Sequence, residues 1–339
     1  MWSDKPGKDS DIVILTRTAI TRNIKGFPFC SKMIASDKDN VINLVSNAAE
    51  SSDMKFLRLD QIGDEVRNDL YEKFMIAEST FFDGQNRGVL FNEEEGTNII
   101  INCDEHIMVN CYANGSSIAS TYEKAEAIAC QLEKKLDIAY SDKYGFLTAD
   151  IRNMGTGIKI YSVVSIPGIE KTSEAMATLV RRLGKYDWKI SPFKLPSGEK
   201  ASGIYILYNL ATLGINEQEL ITRAKSVIED VIKLERTCRI NICKRKKNIV
   251  EDQYYRAFAL LRYARRIENQ EAFAHLNWIR LGFGNIEDTE NINLSWKKIN
   301  SLALRMLRNS KTAKKNGAVA LSSTEENSST IRSLLKGDE

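Results

Sequence analysis

Residues 87–112 read RGVLFNEEEGTNIIINCDEHIMVNCY. Three short apolar stretches stand out in it: Arg87–Phe91, Asn98–Asn102 and Ile107–Tyr112. Each is rich in β-branched or aromatic side chains, and the links between them carry Asn92, Glu93, Gly96 and Asp104, which are turn formers. Three strands joined by links this short make an antiparallel meander, because parallel neighbours need a long crossover.

The flanking sequence adds helices and further strands. Asp11–Leu15 reads as a short strand, and Ser36–Ala49 and Gly63–Phe82 as helices, the second with Val66, Leu70 and Phe74 at helical spacing. Ser120–Tyr140 reads as a long amphipathic helix capped by Ser120. Gly157–Ile166 is a strand, Thr172–Leu183 a helix, Ser202–Leu210 a strand and Asn216–Cys243 a long helix, closed by the charged run Lys244–Lys247. The expected fold class is α+β, an antiparallel β-sheet flanked by helices. After Asn248 the strand signal stops, and Glu251–Ile267, Gln270–Leu281 and Leu294–Asn309 read as helices. The expected organisation is a domain over 10–247, a C-terminal helical module over 248–310 and a polar, mobile tail over 311–339 with a short last helix at Ser329–Lys336.

Composition narrows the function classes. The 339 residues carry a formal net charge of only +3, so no bulk electrostatic case for nucleic acid exists. The polar start MWSDKPGKDSD is not a signal peptide, and no apolar run approaches the ~20 residues that span a bilayer. The expectation is a cytoplasmic protein without membrane contact. The six cysteines (Cys30, Cys103, Cys111, Cys130, Cys238, Cys243) form no CxxC pair, and with only His106 and His275 to add, no metal site is expected.

Five stretches occur in the order and spacing of one known family: SDIVILTRTAITRNIKGFPF from Ser10, IINCDEHIMV from Ile100, YGFLTADIRNMGTGIKIYSVVSIPG from Tyr144, GIYILYNLATLGINEQELI from Gly203 and WIRLGFG from Trp278. Together they resemble the bacterial protein-arginine kinases, which are ATP:guanidino phosphotransferases. The resemblance implies a guanidino-kinase catalytic domain of the glutamine-synthetase-like type, ATP with magnesium as phosphoryl donor, and a helical module that dimerises. It also implies a tail motif for phosphoarginine, whose comparable stretch here, Asn327–Arg332, lacks the Arg-Asp pair.

Phosphoryl transfer to a guanidinium rests on positioning and on neutralising phosphate charge. The resemblance places the family's clamp arginines at Arg17, Ala19, Arg22, Met108, Lys159 and near Ser191. Arg17, Arg22 and Lys159 are therefore the candidate nucleotide contacts, with Arg87 beside the adenine. Lysine keeps the charge but not the planar fork. The second glutamate of the family's NEED motif, which holds the guanidinium, matches Asp104, and the cysteine that lies against the substrate matches Asp150. Asp104 and Asp150 are the candidate catalytic residues, one shortened and one changed in kind.

Each residue also has a plainer reading. Arg17 and Arg22 could be solvated or salt-bridged surface residues; Asp104 and Glu105 sit in a turn, where acids commonly bond locally; His106 reads as structural, Gly155 and Gly157 as serving the backbone geometry of a turn, and Lys244–Lys247 as a solvated helix end. Taken with the resemblance, the residues point to a pseudokinase that regulates or scaffolds arginine phosphorylation and Clp-linked quality control. The alternatives are a divergent active kinase using Lys159, Arg152 and Lys194, and an interaction module without nucleotide. Expected partners are a second copy of the chain, an active kinase homologue, a zinc-binding activator or a Clp unfoldase. The homodimer expectation rests on Tyr254, Phe258, Leu261, Ile267, Phe273, Leu276 and Trp278, an apolar set larger than a lone helical hairpin needs.

Overall fold

The computed structural model of the protein describes residues 2–4, 7–49, 53–195, 198–286, 292, 294–308, 314–315, 318–319 and 324–336. In chain order the main elements are β1 (Val13–Arg22), α1 (Ala35–Ala48), β2 (Lys55–Arg58), α2 (Asp64–Glu72), α3 (Glu78–Phe82), β3 (Gly88–Asn92), β4 (Thr97–Ile101) and β5 (Ile107–Asn114). There follow α4 (Ile118–Glu133), the small hairpin β6 (Tyr140–Ser141) and β7 (Gly145–Phe146), β8 (Ile158–Ser165), α5 (Pro167–Glu170), α6 (Ala175–Gly184), β9 (Trp188–Lys194) and β10 (Lys200–Asn209). Five helices close the chain: α7 (Glu217–Arg245), α8 (Lys247–Tyr263), α9 (Asn269–Gly282), α10 (Trp296–Arg308) and α11 (Thr324–Lys336).

Eight strands form one antiparallel sheet in the order β2-β3-β4-β5-β1-β8-β10-β9. The expected meander is its β3-β4-β5 part. The strand expected at Asp11–Leu15 runs on to Arg22, because Thr16, Thr18 and Thr21 suit a pleat and both neighbours supply ladder bonds. Two edge strands, β2 and β9, carried no readable signal; β9 holds Pro192, which an edge tolerates since it needs no donor on that side.

The helix expected over Gly63–Phe82 is two helices, α2 and α3. Phe74 breaks it in a left-handed conformation with φ 66°, and Asn98 fixes that bend by donating to the Phe74 carbonyl at 3.0 Å. The helix expected at Ser120–Tyr140 starts and ends earlier. Ser120 lies inside its first turn, and Ser117 takes the cap position. The expected Thr172–Leu183 helix is α6, preceded by the separate turn α5. Asn216 does cap α7, accepting the Glu219 N–H at 2.8 Å.

The sheet has two differently covered faces. One packs against α1, α4, α6 and α7 through Val41, Val45, Ala125, Leu179, Val227 and Val231. The other is covered in two places: Leu15, Tyr112, Val163 and Ile204 pack with Trp2, Phe74 and the module α8–α10, and Val89 and Phe91 pack with Leu70, Tyr71 and Phe81 of α2 and α3. Tyr254, Leu261, Ile267, Phe273 and Leu276 are fully buried in this second core, with Phe258 and Trp278 packed beside it. That apolar set is therefore satisfied inside the chain.

Arg280 anchors the module. It is completely buried, donates to Asn300 at 2.6 Å and to the carbonyls of Ser10 and Asp11, and burial pushes its guanidinium down to about 9. Part of the 311–339 stretch lies outside the described residues. Within it α11 is longer than expected and is docked: Ile331 and Leu335 are buried, Arg332 donates to the Ala264 carbonyl, and Arg262 donates to the Leu335 carbonyl at 2.9 Å. All six cysteines are free thiols. Among the described residues no helix is long and apolar enough to cross a membrane.

Candidate active site

The uncovered part of the second face is where the sequence-predicted residues must converge. Strand register decides which do. Arg17 stands opposite Tyr112 on β5 and Tyr161 on β8, and Ala19 stands opposite Asn110 and Lys159. Paired residues share a face, so Arg17, Lys159, Asn110, Tyr161 and, across the next strand, Tyr208 form one patch.

Arg17 is half-buried there. Its Nε and Nη2 both donate to Asn110 Oδ1, at 2.9 and 2.7 Å, and its guanidinium lies 4.9 Å from the centre of the Tyr161 ring. Met108, where the resemblance leads one to expect a clamp arginine, offers only its sulfur, 3.4 Å from Arg17 Nη2. No carboxylate lies within ion-pair distance of Arg17 among the described residues.

Lys159 is on the same face but turned inward. It is 8% exposed, and its Nζ donates to the carbonyls of Asn209 and Leu210 at 3.1 and 3.0 Å. Burial pushes it down to about 8, with neighbouring Arg152 adding to the fall and Asp150 opposing it. It fastens the end of β10 with the hydrogen bonds it would otherwise give a ligand.

Arg22 does not join the site. From β1 it points to the opposite face, ion-paired to Glu133 at 2.6 Å, donating to the Thr21 and Thr156 carbonyls and packed on the Phe146 ring. Arg87 is likewise elsewhere, donating to the Ser79 carbonyl at 2.9 Å and paired with Asp83 at 3.1 Å. Ser191 sits on the edge strand β9.

The two carboxylate candidates lie on neighbouring loops that one buried residue joins. Asp104 is exposed, and its carboxylate makes no hydrogen bond or ion pair among the described residues. Asp150 caps a single turn at Ile151–Asn153 and is held by Arg152, whose Nη2 reaches it at 2.7 Å and whose pairing keeps the carboxyl below its ordinary range. Between them, Glu105 is fully buried. It accepts Asn23 Nδ2 at 2.6 Å and the Ala149 and Asp150 N–H groups at 2.9 and 3.3 Å. Burial raises its carboxyl despite these donors. His106 completes the frame: its Nδ1 accepts the Ile24 N–H at 3.0 Å and its Nε2 lies 2.8 Å from the Pro28 carbonyl, which fixes it as the neutral Nε2–H tautomer.

Asn98, Asn110, Tyr161, Tyr208 and the framing role of Glu105 were not read from the sequence. Only the strand register, which puts polar residues at alternate positions facing Arg17, could have pointed to the first four. A second cluster lies in the module, where Arg262, Tyr263, Arg265 and Arg332 line a cavity of about 180 Å³. Arg332 belongs to the stretch expected to hold the tail motif.

The sequence profile described as ATP:guanido phosphotransferase, C-terminal catalytic domain, matches residues 38–238. The protein-arginine kinase of Pelotomaculum thermopropionicum is 28% identical over 288 residues, covering 83% of this chain and 81% of the relative. That of Halothermothrix orenii is 29% identical over 299 residues, covering 87% and 85%. Among solved structures, lombricine kinase superposes with a TM-score of 0.58 at 19% identity, covering 68% of each chain. A duplicated taurocyamine kinase from Schistosoma mansoni gives 0.59 at 18% identity, covering 67% of this chain, which spans only 33% of that longer one. The structural likeness speaks for the fold, and the profile, spanning more than half of the chain, speaks for descent. This chain belongs to the ATP:guanido phosphotransferase family, and the curated relatives it matches are bacterial protein-arginine kinases.

Proposed function

We propose that this chain is a protein-arginine kinase homologue with an impaired site, which acts as a regulator or scaffold in arginine phosphorylation and Clp-linked protein quality control. Its family uses ATP as phosphoryl donor, normally with magnesium. The observation that carries the reading is the state of the phosphate clamp. Ala19 and Met108 supply no cation, Arg22 is ion-paired behind the sheet, and Lys159 is spent on two carbonyls. Arg17 remains on the open face without a carboxylate, so phosphate oxygens of ATP fit there, but as a single contact. Loss of one charge-stabilising arginine typically costs about a thousandfold in rate, and one lost donor about a hundred- to a thousandfold.

The three-arginine cavity beside α11 supports the regulatory side of the reading, since its lining offers cations and a ring to a phosphorylated guanidinium. A homodimer or a pairing with an active homologue would use the module's outer face, where Ile249, Leu260 and Tyr263 of α8 are 57%, 43% and 69% exposed.

The test is purified protein with Mg-ATP and a basic unfolded substrate, read by mass spectrometry. No phosphoarginine above background is expected. Phosphoarginine that disappears in Asp104→Ala would overturn the reading in favour of a divergent active kinase. One observation favours that second reading: Arg152, beside Asp150 and Lys159, is highly exposed and could swing toward a ligand.

A further inference from the structure

Arg17 is held by a chain of neutral groups. Its Nε and Nη2 converge on one acceptor, Asn110 Oδ1. Asn110 cannot turn its amide over, because its Nδ2 donates to Asn98 Oδ1 at 2.7 Å. Asn98 in turn is set by donating to the backbone carbonyl of Phe74 at 3.0 Å. Both asparagines are completely buried. The direction of every amide thus follows from a main-chain acceptor, which has only one role to play.

The chemistry of that acceptor matters. An aspartate at 110 would hold the same two N–H groups and also cancel the charge. An asparagine aligns the guanidinium and leaves its positive charge uncompensated, with the Tyr161 and Tyr112 rings and the Met108 sulfur, all neutral, as further neighbours. Half-buried arginines usually find a carboxylate, and none is in reach here among the described residues.

We infer that Asn110 and Asn98 are positioning residues that hold Arg17 as a pre-aimed, uncompensated cation for an anionic group. The identity of that group as nucleotide phosphate rests on the reading above; the positioning does not. The anchor of the relay is the left-handed Phe74, whose ring packs on Trp2 and Tyr112 and lies 4.0 Å from the Arg308 guanidinium of α10. The orientation of Arg17 is therefore built on packing outside the site.

Two measurements on the full chain test this. In the first, Mg-ADP is titrated by calorimetry into the wild type, Asn110→Asp, Arg17→Ala and the double variant. Asn110→Asp should weaken binding by about tenfold or more, and the double variant should be no weaker than Arg17→Ala alone. Wild-type affinity in Asn110→Asp, or losses that simply add, would overturn the proposal. The second is ¹⁵N NMR of arginine side chains, assigned with Arg17→Lys. Arg17 Nε–H should give a separate, slowly exchanging signal in the wild type that merges with the exposed arginines in Asn98→Ala. An Arg17 signal already merged in the wild type would equally overturn it. A wild type that keeps the separate signal yet binds no Mg-ADP would sink the nucleotide reading and uphold the positioning.

Discussion

Asn23 donates its side-chain amide to the buried carboxylate of Glu105 at 2.6 Å, and its own carbonyl oxygen accepts the backbone N–H of His106 at 2.9 Å. One asparagine at the end of β1 thereby joins the loop that carries Asp104, while Glu105 reaches on to the loop that carries Asp150. Three loops at the rim depend on one carboxylate. Glu105→Gln keeps the volume but brings an NH₂ group to face donors. It should destabilise the fold by about 1–3 kcal/mol, seen as a lower urea midpoint with an unchanged slope. A midpoint equal to the wild type would show that the loops are held by other means.

Arg17 and Arg22 are five residues apart on one strand, and they separate cleanly in their expected effects. Arg22→Met removes the partner of Glu133 and the donors to two carbonyls, so it should cost about 2–4 kcal/mol of stability. It should leave anion binding unchanged. Arg17→Met should cost only about 1 kcal/mol and abolish whatever Mg-ADP affinity the chain has. Melting curves paired with titration calorimetry decide it; the reverse pattern would place the site on the other face of the sheet.

Lys159 gives a pH signature. Burial holds its amine near 8 in the folded state, below its ordinary value of 10.5. The unfolded chain then binds the extra proton between these values, so stability from this group rises with pH across about 8 to 10.5 and is lost as pH falls through 8. Lys159→Met removes the titration. The unfolding free energy of the wild type relative to this variant should therefore increase between pH 8 and pH 10, and a flat difference would mean that the amine is not desolvated in solution.

The exposed stripe of α8 sets the oligomeric prediction. Light scattering on the full chain at tens of micromolar should give twice the monomer mass, and the pair Ile249→Asp, Leu260→Asp should return it to a monomer. A wild-type monomer at that concentration would exclude the homodimer and with it the simplest scaffold.

The sequence showed the sheet where strands had short, apolar, turn-bounded character, as in β3, β4 and β5. It hid β1 beyond Leu15, because a central strand whose Arg17 and Arg22 point to opposite faces looks polar along its length. It hid β2 and β9 because edge strands need neither continuous apolar character nor every ladder bond. The site was legible only through the family resemblance, and only as a set of positions. Whether a charge at such a position is usable depends on what its side chain meets. Arg22 meets Glu133, and Lys159 meets two carbonyls, contacts that bring together residues from 50 to 111 positions apart. The value of Asn98 and Asn110 was invisible for the same reason, since each is an ordinary polar residue until strand register sets them side by side.

The place of β1 in the sheet bears on how the chain is made. At residues 13–22 it leaves the ribosome well before its two neighbours, β5 at 107–114 and β8 at 158–165. At ~5–20 residues per second, synthesis from Arg22 to Ser165 takes roughly 7–30 s. Both edges of the strand lack partners until β5 is made, and the edge that meets β8 lacks its partner for the whole time; such edges template misassociation. Ser10 is not fastened until still later, when Arg280 and Asn300 arrive. Refolding of the full 339-residue chain, where both partner strands are present from the start, should therefore form the centre of the sheet faster than synthesis does.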